Sequence, residues 1–266
     1  MKIHHLNCGS LLPRGGALLM PGGARMACHC LLLETARDGL VLVDAGLGDL
    51  DLADPAGRLG PWFKHIANPV GDPQETAARQ VVRLGHRAAD VRHVVMTHLD
   101  LDHAGGLCDF PDAKVHVMDA ELQAATRPET AMEARRYRPL HWAHPVQWVS
   151  YPTEGGEVWR ELPGVRPLRG VADDILLVPL PGHTRGHAGV AVERDESWLL
   201  HVGDALMSNR ELTGLKRPAL KLYHRAADVE PSLARKTREL LTVAAIQSTI
   251  RVITSHDYQD FEAISR

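Results

Sequence analysis

Aromatic side chains are scarce in this 266-residue chain, at 5 %. They are too few for an extended platform on which nucleic-acid bases could stack. Charge of one sign is lacking as well, with 30 Lys+Arg against 33 Asp+Glu and a formal net charge of −3. An obligate nucleic-acid partner wants a basic face, so this balance argues against one. The short run Arg135-Arg136-Tyr137-Arg138 reads as a solvated face or a contact for an acidic substrate. No apolar run reaches about 18 residues, so no membrane span is predicted. Met1–His5 carries no apolar signal core, and Leu11–Met20 is interrupted by Pro13, Arg14, Gly15 and Gly16; a cytoplasmic location is the expectation. The cysteines are only Cys8, Cys28, Cys30 and Cys108. No second pair completes a zinc knuckle around Cys28 and Cys30, so they read as buried, reduced thiols.

The length suits one large domain over residues 1–266, built of two similar halves that divide near residue 160. Met26–Glu34 and Leu40–Asp44 are β-rich and joined at Arg37-Asp38-Gly39, which predicts a hairpin. Pro73–Leu84 reads as a helix capped by Asp72 and stopped at Gly85. Val91–Met96 and Lys114–Met118 read as strands, and Asp119–Thr126 as a helix capped by Asp119. Residues 127–163 read as an irregular lid or binding loop. Strands resume at Val165–Arg169, Ile175–Leu180, Gly189–Val192 and Trp198–Val202, before a helix over Val229–Ile246 and a last strand over Ile250–Thr254. Two halves of this kind would pack their sheets face to face with helices outside, bringing ligands from both to one edge.

The densest chemistry lies in Thr97-His98-Leu99-Asp100-Leu101-Asp102-His103-Ala104-Gly105-Gly106. Two imidazoles and two carboxylates within six positions, directly after an apolar strand, form a metal-ligand cluster at a sheet edge. The same placement recurs downstream. His183 follows the 175–180 strand, Asp204 follows the 198–202 strand, and His256 follows the last strand. His187 and His201 read as hydrogen-bonding supports for these residues rather than as ligands.

These motifs, with the early aspartate Asp44 in Val43-Asp44-Ala45-Gly46, resemble in kind and order the metallo-β-lactamase-fold hydrolases, in particular their lactonase-like branch. The resemblance covers residues 40–257. It implies an α/β fold, a four-layer αβ/βα sandwich of two mixed β-sheets with helices outside. It also implies two divalent metal ions. His98, Asp100 and His183 would hold one, Asp102, His103 and His256 the other, and Asp204 would bridge both. A hydroxide between two such ions is a nucleophile at neutral pH, because metal binding lowers the pKa of water from ~15.7 toward ~7. Asp102 would orient that hydroxide and pass its proton on. Asp44 would orient a ligand imidazole. Tyr223, in an overhanging segment over 207–227, would hydrogen-bond a substrate carbonyl or oxyanion, or else simply pack.

One position departs from the family pattern His-x-His-x-Asp-His, since Asp100 replaces the second histidine. Zinc remains the first choice of metal, with Fe, Mn or Co as alternatives because a carboxylate softens the Lewis acidity of its ion. The predicted activity is hydrolysis of a small ester-like substrate, most concretely a lactone. Hydrolysis of an organophosphate or phosphodiester is one alternative, and non-haem di-iron redox chemistry is another. Trp62, Phe63, Trp142 and Trp148 are expected to line an apolar pocket that suits an acyl or lactone substrate. A small molecule is the expected partner, with a homodimer left open.

Overall fold

Runs such as Leu31-Leu32-Leu33 and Leu40–Val43 are apolar at every position, which a strand tolerates only when both faces of its sheet are covered. The computed structural model describes residues 1–171, 174–246 and 249–265, and these runs are covered on both faces. The strands are β1 (Lys2–Leu11), β2 (Met26–Glu34), β3 (Leu40–Val43), β4 (Val91–Val95), β5 (Lys114–Met118) and β6 (Gln147–Tyr151), then β7 (Glu157–Trp159), β8 (Leu162–Pro167), β9 (Ile175–Pro179), β10 (Ala188–Arg194), β11 (Ser197–His201) and β12 (Ile250–Ile253). They form two six-stranded sheets, one ordered β1 to β6 and the other β12-β11-β10-β9-β8-β7. Both sheets mix parallel and antiparallel pairing: β3 to β6 run parallel, as do β11 and β12.

Alternation along the strands builds the layers. Leu31, Leu33, Val41 and Val43 of the first sheet share a core with Leu177, Val190, Val192 and Ile253 of the second. Their neighbours Leu32, Leu42 and Val94 turn outward onto Ala77, Val81 and Ala124 of helices Ala77–Arg83 and Asp119–Thr126. On the far side, Val178, Leu200 and Val252 pack against Leu241 and Ala244 of helix Pro231–Ala245. The order helix, sheet, sheet, helix is the predicted four-layer sandwich. The chain passes from one sheet to the other between Tyr151 and Glu157.

Several local predictions need correction. The stretch over Pro73–Leu84 is not one helix. Asp72 caps a 3₁₀ turn at Pro73–Glu75, and the Thr76 hydroxyl caps a separate helix by accepting from the Arg79 N–H at 3.4 Å. Asp119 is the first helical residue rather than the cap, which is Met118 with no side-chain bond. The late helix begins at Pro231 instead of Val229, since proline suits the first turn. Residues 127–163 are also less irregular than predicted. They hold a helix over Ala131–Arg136, a 3₁₀ turn over Pro139–Trp142 and the strands β6 and β7. The overhang over 207–227 contains a helix at Pro218–Ala227. Cys8, Cys28 and Cys30 are buried and free, as expected, whereas Cys108 is free but only half-buried.

A buried polar chain crosses the first sheet. The Arg169 N–H donates to the Tyr151 hydroxyl at 2.8 Å, and that hydroxyl donates to His116 Nδ1 at 2.7 Å. His116 Nε2 donates in turn to His93 Nδ1 at 2.8 Å. Burial, aided by His93, pushes the His116 pKa down from 6.5 to about 3. A histidine depressed in this way stabilises the fold fully above pH 6.5 and less as pH falls toward 3. Between pH 6.5 and 5 the loss is about 2 kcal/mol from this residue. Denaturant unfolding across that interval is therefore expected to be less pH-dependent for His116→Gln than for the wild type. An equal slope in both proteins would remove His116 from the account.

Candidate metal centre

Each chemically active segment begins where a strand ends. After β3, Asp44 takes a left-handed conformation (φ 53°), and Gly46 follows at φ 63°. A side chain at Gly46 would meet the Cys8 carbonyl oxygen at 2.3 Å, so only glycine lets the chain turn so close to β1. The turn sends the Asp44 carboxylate inward. It accepts from the Thr97 N–H and hydroxyl, both at 2.7 Å, and from His103 Nδ1 at 2.8 Å. Thr97 in turn accepts from His98 Nδ1 at 2.9 Å. Burial works against the Asp44 carboxylate, yet the adjacent His103 holds its pKa below the usual range.

His256 is oriented by a hydrogen bond of the same kind, and His183 by the approach of a carboxylate. His256 Nδ1 donates to the Ala27 carbonyl at 2.8 Å, and His183 Nδ1 lies 3.5 Å from Asp228 Oδ1. With their Nδ1 atoms turned to the protein, His98, His103, His183 and His256 turn Nε2 toward shared carboxylates. His98 Nε2 and His183 Nε2 each lie 3.4 Å from Asp100 Oδ2. His103 Nε2 is 3.4 Å from Asp204 Oδ1, and His256 Nε2 is 3.2 Å from Asp204 Oδ2 and 3.7 Å from Asp102 Oδ2. Four ligand atoms around a tetrahedral zinc ion stand about 3.3 Å apart, so this spacing suits metal ligation. Among the described residues, His98 Nε2, His103 Nε2, Asp100 Oδ1 and Asp204 Oδ1 are buried without a hydrogen-bond partner. Orphaned lone pairs in this number are costly unless a cation collects them.

Three groups could hold an ion: His98 with Asp100 and His183, His98 with His103 and Asp204, and Asp102 with His103 and His256. All seven predicted ligands therefore lie in one cluster. The carboxylates leave their mark on its titration. Burial opposes charge on His103, but Asp204, Asp44 and Asp102 push its pKa well above 6.5. Burial likewise opposes charge on His256, and Asp204 foremost raises it to about 9. His187 and His201 stand outside the set because both their nitrogens are engaged. His187 donates from Nδ1 to the Leu180 carbonyl and accepts the Asp204 N–H at Nε2. His201 donates from Nε2 to the His29 carbonyl and accepts the Gly203 N–H at Nδ1.

Tyr223 sits on the Pro218–Ala227 helix against an apolar cluster that includes Met20, Leu59, Phe63, Leu101 and Met207. Burial, with Asp204 and Asp102 nearby, pushes its phenol pKa well above 10, so it remains a neutral donor. Of the four aromatics expected to line a pocket, only Phe63 belongs to this cluster. Trp142 and Trp148 pack on the outer face of the first sheet, and Trp62 is 71 % exposed.

Two residues with large roles are absent from the predicted set. Glu121 is fully buried and accepts from the Leu99 N–H at 2.8 Å, the Thr184 hydroxyl at 2.6 Å and the Gly186 N–H at 3.2 Å. It thus ties the His98 loop to the His183 loop. Arg136, in the run read as a solvated face or a contact for an acidic substrate, is instead nearly buried against an acid of this chain itself. It donates from Nη1 to Asp100 Oδ2 at 2.6 Å and to His183 Nε2 at 2.9 Å. The basic run containing it was its only signal in the sequence, and Glu121 had none.

Comparison with known proteins gives the family. A probable metallo-hydrolase of Mycobacterium tuberculosis is 47 % identical over 214 residues, covering 80 % of this chain and 65 % of that protein. The chain thus spans just under two thirds of that curated relative's length. The N-acyl homoserine lactonase AttM of Rhizobium johnstonii is 29 % identical over 239 residues, covering 85 % of this chain and 80 % of that one. Among solved structures, an N-acyl homoserine lactone hydrolase with the product N-hexanoyl-L-homoserine bound at its catalytic metal centre superposes with a TM-score of 0.74. It covers 98 % of this chain and 95 % of its own at 20 % identity, a likeness of fold. No helix among the described residues is long and apolar enough to cross a membrane. The family profile of the metallo-beta-lactamase superfamily matches residues 23–246, and the chain belongs to that superfamily.

Proposed function

We propose that this chain is a metal-dependent hydrolase of small ester-like substrates, most concretely lactones, working with two divalent ions. The reading rests above all on one observation: four imidazole Nε2 atoms and three carboxylates converge, and His98 Nε2, His103 Nε2, Asp100 Oδ1 and Asp204 Oδ1 among them are buried without a hydrogen-bond partner. In this reading His98, Asp100 and His183 would hold one ion, Asp102, His103 and His256 would hold the other, and Asp204 would serve both. Zinc is the first choice, with Fe, Mn or Co as alternatives on account of Asp100. Such ions supply a water of lowered pKa and a Lewis acid for the scissile carbonyl.

The chain's own residues do the rest. The Asp102 carboxylate orients the attacking water and carries its proton to the leaving oxygen. The Tyr223 hydroxyl donates to the substrate carbonyl oxygen as negative charge develops there. The cluster around Phe63, Met20 and Leu101 offers an apolar wall beside that hydroxyl, which suits an acyl group better than a polyanion. The lactonases among the relatives support the same substrate class.

Metal analysis followed by a panel of lactones and a panel of phosphotriesters tests this reading. Lactone turnover should exceed phosphotriester turnover in the metal-loaded protein. Tyr223→Phe should lower kcat on the lactone roughly a hundredfold with metal content unchanged. Feeble, equal rates on both panels would remove the lactonase assignment. Two irons per chain with oxygen consumption would replace hydrolysis by redox chemistry.

A further inference from the structure

We infer that Arg136 is a resident cation of the first donor set, holding the place of a metal ion and yielding it only when that ion binds. The inference rests on the two-ion reading above. Arg136 ends the Ala131–Arg136 helix, whose Glu133 is buried and paired with Arg185 at 2.6 Å. Arg185 lies on the loop that carries His183, so helix and loop are fastened together. From this mounting Arg136 Nη1 donates to Asp100 Oδ2 at 2.6 Å and to His183 Nε2 at 2.9 Å, while Nη2 donates to the Ala227 carbonyl.

A neutral imidazole has one lone pair, on the nitrogen without a proton. At His183 that lone pair accepts from Arg136. A divalent ion needs the same lone pair, so the hydrogen bond and the metal bond exclude each other. Asp100 makes the arrangement possible, because a carboxylate binds a guanidinium as readily as an ion, whereas a histidine at this position would not. The departure of Asp100 from the family pattern and the burial of Arg136 thus belong to one device. Its consequence is an asymmetric centre. Among the described residues the set built on Asp102, His103 and His256 has no such guanidinium bonded to it, and it fills first. The set built on His98, Asp100 and His183 fills second, against the guanidinium.

Stepwise titration of the metal-stripped chain with Co²⁺, read by ligand-field absorption against a competing chelator, tests this directly. The wild type should take up two ions in two separate steps. Asp100→Asn should remove the weaker step and spare the tighter one. Arg136→Met, which keeps side-chain length and removes the charge, should tighten the weaker step by about tenfold or more. Two ions binding in one step in the wild type, or a weaker step that is unchanged or further weakened in Arg136→Met, would overturn the inference and leave the two-ion reading standing. Failure to bind any ion would overturn both. Should Arg136→Met not fold, the wild-type titration decides alone: two steps support the inference and one step ends it.

Discussion

If the proposed two-ion lactonase reading holds, Asp204→Asn is expected to lower lactone hydrolysis roughly a thousandfold, equivalent to about 4 kcal/mol of barrier, while the metal-free fold survives. The reason is the reach of this carboxylate. Oδ1 stands 3.4 Å from His103 Nε2, and Oδ2 stands 3.2 Å from His256 Nε2, 3.6 Å from His183 Nε2 and 4.0 Å from His98 Nε2. Among the described residues no other side chain faces four of the candidate ligand imidazoles. Asparagine keeps the shape but presents an N–H₂ group where lone pairs would be needed, and it removes a negative charge from between the two proposed ions. Ion content should fall from two per chain to one or none. The backbone is spared, because the Asp204 N–H donates to His187 Nε2 at 3.0 Å whatever the side chain. Elemental analysis beside kcat/KM on a lactone measures both effects. Two ions retained with turnover within tenfold of wild type would deny Asp204 the bridging role.

Glu121→Ala should produce the largest loss of stability. Its carboxylate collects three donors from two loops in a place closed to water. Alanine leaves all three buried donors without an acceptor, and removing one partner of a buried charged network costs about 3–5 kcal/mol. For a chain of this size that corresponds to a drop in Tm of about 10 °C. The same substitution should weaken ion binding at the first donor set, since Leu99 separates His98 from Asp100 and Thr184 follows His183. Packing sharpens the dependence: a side chain at Gly186 would meet the Glu121 backbone nitrogen at 2.0 Å. Thermal unfolding of the metal-free protein isolates the structural share. A Tm within about 2 °C of wild type, roughly the effect of less than 1 kcal/mol, would show that the loops hold without Glu121.

The legible part of this molecule is the part in which neighbours in sequence are neighbours in chemistry. His98, Asp100, Asp102 and His103 share one turn after β4, so their spacing alone marked them. His183, Asp204 and His256 were readable because each follows a strand with a plain apolar pattern. The layered fold came through for the same reason, in runs such as Leu40–Val43 that demand cover on both faces. What escaped was decided between distant segments. Glu121 reads as an ordinary acid in the first turn of a helix, where such residues are common, and only the approach of Thr184 and Gly186 makes it a hub. Arg136 sits in a basic run that composition assigns to solvent, and its partner Asp100 is 36 positions away. Strands β6 and β7 were missed because they are short and partly exposed, with no clean alternation to betray them. The helix over Pro73–Leu84 failed at Thr76, where a hydroxyl cap competes with continuation of the helix.

The closing contact of the centre also sets a timetable. His256 donates to the Ala27 carbonyl across 229 positions, and Met26 bridges to Asp257 beside it. At ribosomal rates of roughly 5–20 residues per second, Ala27 emerges some 10–45 s before its partner is made. In the later part of that interval, once β4 to β6 have been made, the inner apolar face of the first sheet waits for the second, and the two imidazoles and two carboxylates of the turn after β4 stand ready while the last histidine is still missing. A nascent chain at this stage can meet stray metal with an incomplete ligand set and sticky surface exposed together. Expression in metal-rich medium at reduced temperature, against expression of the same chain metal-poor and loaded afterwards, becomes a practical choice that the topology itself imposes.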